Sequence, residues 1–262
     1  MAPGHANGAA HVVSTPAVMA RGLRKAFGAR VAVDGIDLQV ERGECFGFLG
    51  PNGAGKTTTM RMLSCLSTRD GGDLLVLGMD PDRQARVLKG RLGVVPQEVN
   101  LDLELTVLEN MVVYGRYFGM RRADATPRAL DLLAFVGLAE RADDTVDRLS
   151  GGMQRRLQIA RALINDPDVI LLDEPTTGLD PQARRLVWDR LRELRDQGTS
   201  VIITTHYMDE AERLCDRLVL IDHGRVIRQG APDALVRDEV GPGGTLEDLF
   251  IAATGHALRD DA

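Results

Sequence analysis

The segment from Gly50 to Thr58 combines glycines, a lysine and two hydroxyls in the order Gly50-x4-Gly55-Lys56-Thr57. Glycines let backbone N–H groups turn towards an anion, and a helix that follows adds the positive end of its dipole. The lysine would supply charge near the β- and γ-phosphates of a nucleotide, and the Thr57 hydroxyl can ligate Mg²⁺. The pattern predicts a phosphate-binding loop made of Gly50, Pro51, Asn52, Gly53, Ala54, Gly55, Lys56, Thr57 and Thr58.

Two carboxylates, Asp173 and Glu174, directly follow the apolar run from Val169 to Leu172. A buried lone carboxylate is costly, so Asp173 is expected to meet a Mg²⁺ shell or hydrogen bonds. Glu174 is expected on the opposite side of the strand, where it could polarise a water for attack on the γ-phosphate. The alternative is that both residues simply end the strand.

A second candidate anion site is the turn Ser150-Gly151-Gly152, which offers a hydroxyl and two amides where a helix would begin. Taken alone, such a turn is an ordinary N-cap. One chain would then hold two helix N-termini suited to phosphate but a single lysine loop. A dimer resolves this redundancy if each serine turn closes over the nucleotide of the other subunit.

The elements that position these residues read as an α/β fold. Strand-like runs at Cys45–Leu49, 169–172, 201–205 and 218–221 alternate with helical patterns at 181–197 and 207–216, which predicts a parallel sheet. After Lys56, Met60, Leu63 and Leu66 recur at helical spacing. Helical periodicity from about residue 100 to residue 162 reads as a lobe inserted into the sheet.

The predicted domain organisation has three parts. Residues 1–16 are small and polar and are predicted to be a disordered tail. Residues 17–235 form the nucleotide-binding domain, and residues 236–262 form a C-terminal tail with a short helix. In that tail Leu246, Leu249 and Phe250 share one helical face, which favours packing back onto the domain.

Composition excludes several classes of protein. The net charge of −6 and pI near 5.4 argue against non-specific nucleic-acid binding. The three cysteines lack any CxxC or His/Cys pattern, so neither a disulfide framework nor a zinc site is predicted. No signal peptide is expected at the N-terminus. The apolar runs have strand length, so we expect any service to a membrane to require a partner.

The chain contains three further motifs. They are Val95-Pro96-Gln97, Gly178-Leu179-Asp180-Pro181 and the segment that begins Thr204-Thr205-His206 and continues to Glu212. With the motifs above, they make the chain resemble the nucleotide-binding subunit of an ABC transporter over about residues 18–230. The resemblance implies a P-loop NTPase (RecA-like) parallel-sheet core, an N-terminal antiparallel β subdomain and the inserted α-helical subdomain. It also implies ATP and Mg²⁺ as ligands.

The resemblance assigns roles to individual residues. It implies that Gln97 reaches Mg²⁺ or the attacking water and reports nucleotide state to a membrane partner. His206 would contact the γ-phosphate and hold Glu174 and water in place, and Asp180 would communicate between two sites across a dimer. Phe27 resembles the aromatic residue that stacks on adenine. The implied catalytic residues are Glu174, His206 and Gln97, and the implied metal ligands are Thr57, Gln97 and Asp173.

Met153 directly follows the serine turn. The resulting Ser-Gly-Gly-Met sequence makes the chain resemble an exporter subgroup of the family. The resemblance therefore implies an export ATPase at the cytoplasmic face of the cell membrane, bound to a separate transmembrane permease. It would work as a homodimer or with a second ABC ATPase subunit, without nucleic acid. One alternative is a soluble ABC-type ATPase acting on ribosomes or DNA, and another is a catalytically silent subunit.

Overall fold

The computed structural model describes residues 15–255; the predicted disordered tail, up to residue 14, lies outside that range. The strands are β1 Val18–Phe27, β2 Arg30–Val40, β3 Cys45–Leu49, β4 Gly71–Val76, β5 Leu92–Val95, β6 Val169–Asp173, β7 Ser200–Thr205, β8 Arg217–Asp222 and β9 Arg225–Gly230. The α-helices are α1 Lys56–Leu63, α2 Ala85–Lys89, α3 Val107–Tyr117, α4 Arg122–Phe135, α5 Gly151–Ala162, α6 Pro181–Asp196, α7 Met208–Leu214, α8 Pro232–Glu239 and α9 Leu246–Thr254.

The central sheet has the strand order β5-β6-β7-β3-β8-β9, and its first five strands are parallel. Successive side chains of β3 enter two different cores: Cys45 and Leu49 lie in one, and Phe46 and Phe48 in the other. Because both faces of this sheet are covered, its strands are continuously apolar rather than alternating. The α/β fold class predicted from the sequence is confirmed.

The carboxyl end of β3 lies at the centre of this sheet, between β7 and β8. In parallel α/β sheets ligands bind beyond the carboxyl ends of the strands. The loop after β3 leads into α1, β6 ends at Asp173, and β7 ends at Thr205. The topology therefore brings the lysine loop, the two carboxylates and His206 to one edge.

A second, antiparallel sheet of order β2-β1-β4 covers the core that holds Phe46 and Phe48. Strand β1 ends at Phe27 and places that ring at the outer end of the sheet. The inserted lobe contains α3, α4 and α5, and α3 begins with a reciprocal capping box between Thr106 and Glu109.

Three features differ from the sequence-based expectations. Strand β9 pairs antiparallel to β8, and its partly exposed residues gave no buried-strand signal. Helix α1 ends at Leu63, so Leu66 lies beyond it with 63% of its surface exposed. Helix α8 crosses the boundary that was expected between the nucleotide-binding domain, ending at residue 235, and the C-terminal tail, beginning at residue 236.

The C-terminal helix α9 packs on the domain, as its apolar face predicted. Leu246, Leu249 and Phe250 are completely buried in the same core as Leu49. Thr245 and Asp248 form a capping box at the start of the helix, so the chain enters it in a defined direction.

Candidate functional site

The loop between β3 and α1 depends on glycine at two positions where a side chain would collide with backbone. A Cβ on Gly50 would lie 2.1 Å from the carbonyl oxygen of Ile221. Gly55 has a φ of +104°, and a Cβ there would lie 2.4 Å from the carbonyl oxygen of Ala32. Close packing therefore requires glycine at both positions, and at Gly55 the left-handed φ requires it as well.

The loop borders a cleft of about 510 Å³, lined by Phe27, Arg30, Ala32, residues 51–58, Gln97 and Glu174. Lys56 is 4% exposed, and its ammonium group donates to the carbonyl oxygens of Gly50 at 2.6 Å and Pro51 at 3.2 Å. Burial lowers the pKa of Lys56, and the nearby carboxylates of Glu174 and Asp173 oppose that effect. The structure thus gathers the predicted loop residues around one cleft.

Asp173 is held by hydroxyl groups. It is 7% exposed, and its Oδ1 accepts hydrogen bonds from the hydroxyl of Thr57 at 3.2 Å and from that of Thr204. The hydrogen-bonding partners predicted for a buried carboxylate are therefore present. A hydroxyl and a carboxylate side by side also form a donor set of the kind that Mg²⁺ prefers.

Glu174 is the residue on which the functional side chains converge. Its Oε1 lies 3.3 Å from His206 Nδ1 and 3.7 Å from Lys56 Nζ. Its Oε2 accepts hydrogen bonds from Gln97 Nε2 at 3.2 Å and Thr177 Oγ1 at 3.3 Å. The hydrogen bond and charge of His206, together with the charge of Lys56, hold the pKa of Glu174 below its ordinary value, although burial opposes this.

Glu174 was expected on the opposite side of the strand from Asp173, but it lies beyond the end of that strand. Strand β6 ends at Asp173, and Glu174 adopts a left-handed φ of +48°. This turn ends the alternation of the strand. Asp173 contacts Thr57, and Glu174 contacts the preceding residue, Lys56. A non-glycine residue in this conformation is strained and is found preferentially at functional sites.

Ser150 and Asp180 lie apart from the cleft, and neither lines it. Ser150 is the N-cap of α5 and accepts a hydrogen bond from the Met153 amide. Asp180 is the N-cap of α6 and accepts hydrogen bonds from the amides of Gln182 and Ala183. A Cβ on Gly152 would lie 3.3 Å from the Cβ of Ala183, so the two capped helix starts are neighbours.

Sequence reasoning missed three residues that support the site: Thr204, Thr177 and Arg155. Thr204 contacts Asp173, and its hydroxyl also accepts a hydrogen bond from the Glu174 amide at 3.0 Å. A threonine pair at the end of the apolar strand β7 is the signal that could have indicated it. Arg155 is a charged residue of α5, yet only 5% of it is exposed.

Together, the parallel sheet, the lysine loop and the convergent carboxylates define a P-loop nucleotide-binding domain. The family described as "ABC transporter" matches residues 33–177. A "Nod factor export ATP-binding protein I" from Paraburkholderia xenovorans (strain LB400) is 54% identical over 219 residues, which cover 84% of this chain and 72% of that relative. The chain belongs to the ABC transporter family, whose ATP-binding cassettes are ATPases.

Two solved structures have the same fold. The first, an ATP-binding subunit of an ABC transporter, has a TM-score of 0.82 and 28% identity, and the match covers 92% of this chain and 100% of that one. The second is a dimeric ATP-binding cassette in a post-hydrolysis state with ADP and Pi bound. It has a TM-score of 0.73 and 29% identity, covering 82% of this chain and 98% of that one. These similarities confirm the predicted fold class and family.

Proposed function

We propose that this chain hydrolyses ATP in the cleft beside Lys56 and works as a pair to power export through a separate membrane protein. The observation that carries the proposal is the convergence of Lys56, Gln97 and His206 on the Glu174 carboxylate. A carboxylate beside a phosphate-binding loop, supported by an imidazole and an amide, can orient and deprotonate a water.

Each side chain has a defined part in the reaction. The loop amides and Lys56 hold the β- and γ-phosphates. Glu174 accepts a proton from the water whose oxygen attacks the γ-phosphorus, while the bond to the departing ADP oxygen breaks. His206 and Gln97 keep Glu174 and the water in line, and the pKa of Glu174, which His206 and Lys56 lower, keeps the carboxylate ionised before the proton is transferred.

Thr57 and Asp173 would hold Mg²⁺, with Gln97 nearby. Their adjacent hydroxyl and carboxylate oxygens fit that ion, which would neutralise charge on the phosphates when bound. Within residues 15–255 no group of three or more His, Cys, Asp or Glu could hold a metal. The ion would therefore complete its shell with water and phosphate oxygens, as Mg²⁺ commonly does.

Pairing follows from the position of the serine turn. Ser150 and Gly151 are exposed at the start of the 12-residue helix α5, away from the cleft of their own chain. A helix start with free amides attracts a phosphate. In a head-to-tail pair, Ser150 and the Gly152 amide of one subunit would meet the nucleotide held by Lys56 and Thr57 of the other, and Asp180 would connect the two sites. The dimeric cassette of similar fold supports this arrangement.

The partner would be a transmembrane permease, and the chain would act at the cytoplasmic face of the membrane. Within residues 15–255 no helix has the length and apolar character needed to span a bilayer. Exposed apolar side chains follow Gln97 and continue onto α3: Val99, Leu103, Val113 and Tyr117 are 48%, 51%, 39% and 80% exposed. Such a surface suits contact with another protein. The Nod factor export relative supports export as the direction of transport.

Nucleotide-dependent pairing tests the proposal. With Mg·ATP, Glu174→Gln should form a stable dimer that retains intact ATP, because binding is preserved and hydrolysis is not. The wild-type chain should return to monomers as ATP is consumed. Light scattering and analysis of the bound nucleotide distinguish the two, and Glu140→Gln, an exposed change in the helical lobe, is the control. A Glu174→Gln chain that stays monomeric at saturating ATP would contradict the paired mechanism.

A further inference from the structure

The buried Arg155 of α5 donates mainly to backbone carbonyls near the hydrolysis site, which supply four of its five acceptors. Nε donates to the Pro175 carbonyl at 2.9 Å, and Nη2 donates to the carbonyls of Asp173 at 2.6 Å and Glu174 at 3.0 Å. Nη1 donates to the Pro96 carbonyl and to Gln158 Oε1. A guanidinium has five N–H donors in a fixed fork, and here five acceptors surround it.

These bonds hold the Glu174 turn, defined here as residues 173–175, from one side. Thr204 holds it from the other, because the Glu174 amide donates to both the carbonyl oxygen of Thr204 at 3.1 Å and its hydroxyl at 3.0 Å. The strained φ of +48° at Glu174 is thus fixed at both its N–H and its C=O. A conformation of this kind persists only when its surroundings over-determine it.

The same face of α5 also holds the segment that carries Gln97. Arg155, Gln158 and Arg161 are spaced three residues apart and donate to the carbonyls of Pro96, Glu98 and Asn100, respectively. Of these three side chains, Arg155 is the one that also reaches the Glu174 turn. It therefore connects three parts of the chain: α5, the Gln97 segment and the hydrolytic carboxylate.

We propose that Arg155 is a positioning residue that couples the serine turn to hydrolysis. This inference rests on the proposed function. Nucleotide that binds across the dimer at Ser150 would move α5, and Arg155 would transmit this movement to the backbone at Glu174 and to the segment that carries Gln97. Burial lowers the pKa of Arg155 to about 10, so the group remains charged at neutral pH. Arg155 does not line the cleft, so it would act through these backbone groups.

Substitution should therefore separate chemistry from binding. Arg155→Met and Arg155→Gln should lower kcat about 10- to 100-fold, the scale for a displaced catalytic group, while the affinity for Mg·ATP stays within about threefold. Arg155→Lys keeps the charge but has three donors in place of five, so its kcat should be intermediate. This variant also keeps the test decisive if the larger changes impair folding.

Arg156→Met is the matched control, because Arg156 is the next arginine of α5 and its guanidinium donates to the carbonyls of Val136 and Gly137 in the helical lobe, not to the Glu174 turn or the Gln97 segment. Its kcat should stay within about twofold of wild type at an equal folded fraction. Unchanged kcat in the Arg155 variants, or an equal loss in Arg156→Met, would overturn the inference. Absence of hydrolysis by the wild-type chain would instead overturn the proposed function.

Discussion

The ammonium nitrogen of Lys56 lies 3.7 Å from a carboxylate oxygen of Glu174, and both side chains are at least 93% buried. Lys56 begins the helix after the glycine loop, whereas Glu174 follows a strand 118 residues later. The cation that would bind phosphate and the carboxylate that would activate water therefore face each other across the cleft. Nucleotide phosphates entering the cleft would meet both groups.

Lys56→Ala removes the charge of the loop and leaves its glycines in place. We expect the affinity for Mg·ATP to fall about 10- to 100-fold, because a charged hydrogen bond contributes roughly 1.5 to 3 kcal/mol. Turnover should fall as well. Equilibrium binding measures the first effect, with Lys89→Ala, an exposed lysine elsewhere, as the control. An unchanged affinity in Lys56→Ala would mean that the phosphate-loop assignment is wrong.

Phe27 ends β1 at the rim of the cleft with 54% of its surface exposed. If its ring stacks on adenine, Phe27→Ala should weaken ATP binding by about 1 to 3 kcal/mol, and Phe27→Tyr should bind normally. Val31→Ala on the adjacent strand is the control, because Val31 has the same exposed fraction of 54%. Equal losses for both variants, or none for Phe27→Ala, would remove the stacking role.

The lowered pKa of Glu174 predicts how stability depends on pH. Because its folded-state pKa lies below the ordinary 4.5, the ionised carboxylate stabilises the folded chain above that pH, and the contribution is lost as pH falls through the folded value. Nucleotide-free Glu174→Gln should therefore have a lower Tm than wild type at pH 7. The difference should shrink below pH 4.5. A difference that grows on acidification would contradict the assigned direction of the shift.

The motifs of the candidate site could be recognised in the sequence because each one depends on residues that are close together in the chain. The glycines of the loop are required by a turn and by close backbone packing, and Asp173 follows a continuous apolar run. The N-caps Ser150 and Asp180 also stand where cap residues are expected. Such features depend on residues near one another in the chain, so they can be read without the tertiary structure.

What the sequence did not predict depends on distant contacts. The direction of Glu174 follows from a left-handed turn that Arg155 and Thr204 fix from elsewhere in the chain. Arg155 was not predicted, because four of its five acceptors are backbone carbonyls, which carry no sequence signal. Strand β9 was missed for a related reason, since its exposed face has no apolar pattern.

Phosphate release from Mg·ATP by the wild-type chain and by Glu174→Gln tests the account most directly. Glu174 is the carboxylate that contacts Lys56, His206 and Gln97 together, so its loss should slow turnover about 100-fold or more while ATP still binds. Glu140→Gln should release phosphate at the wild-type rate. Near-normal release by Glu174→Gln, at matched protein and ATP concentrations, would contradict the claim that this carboxylate is the base for hydrolysis.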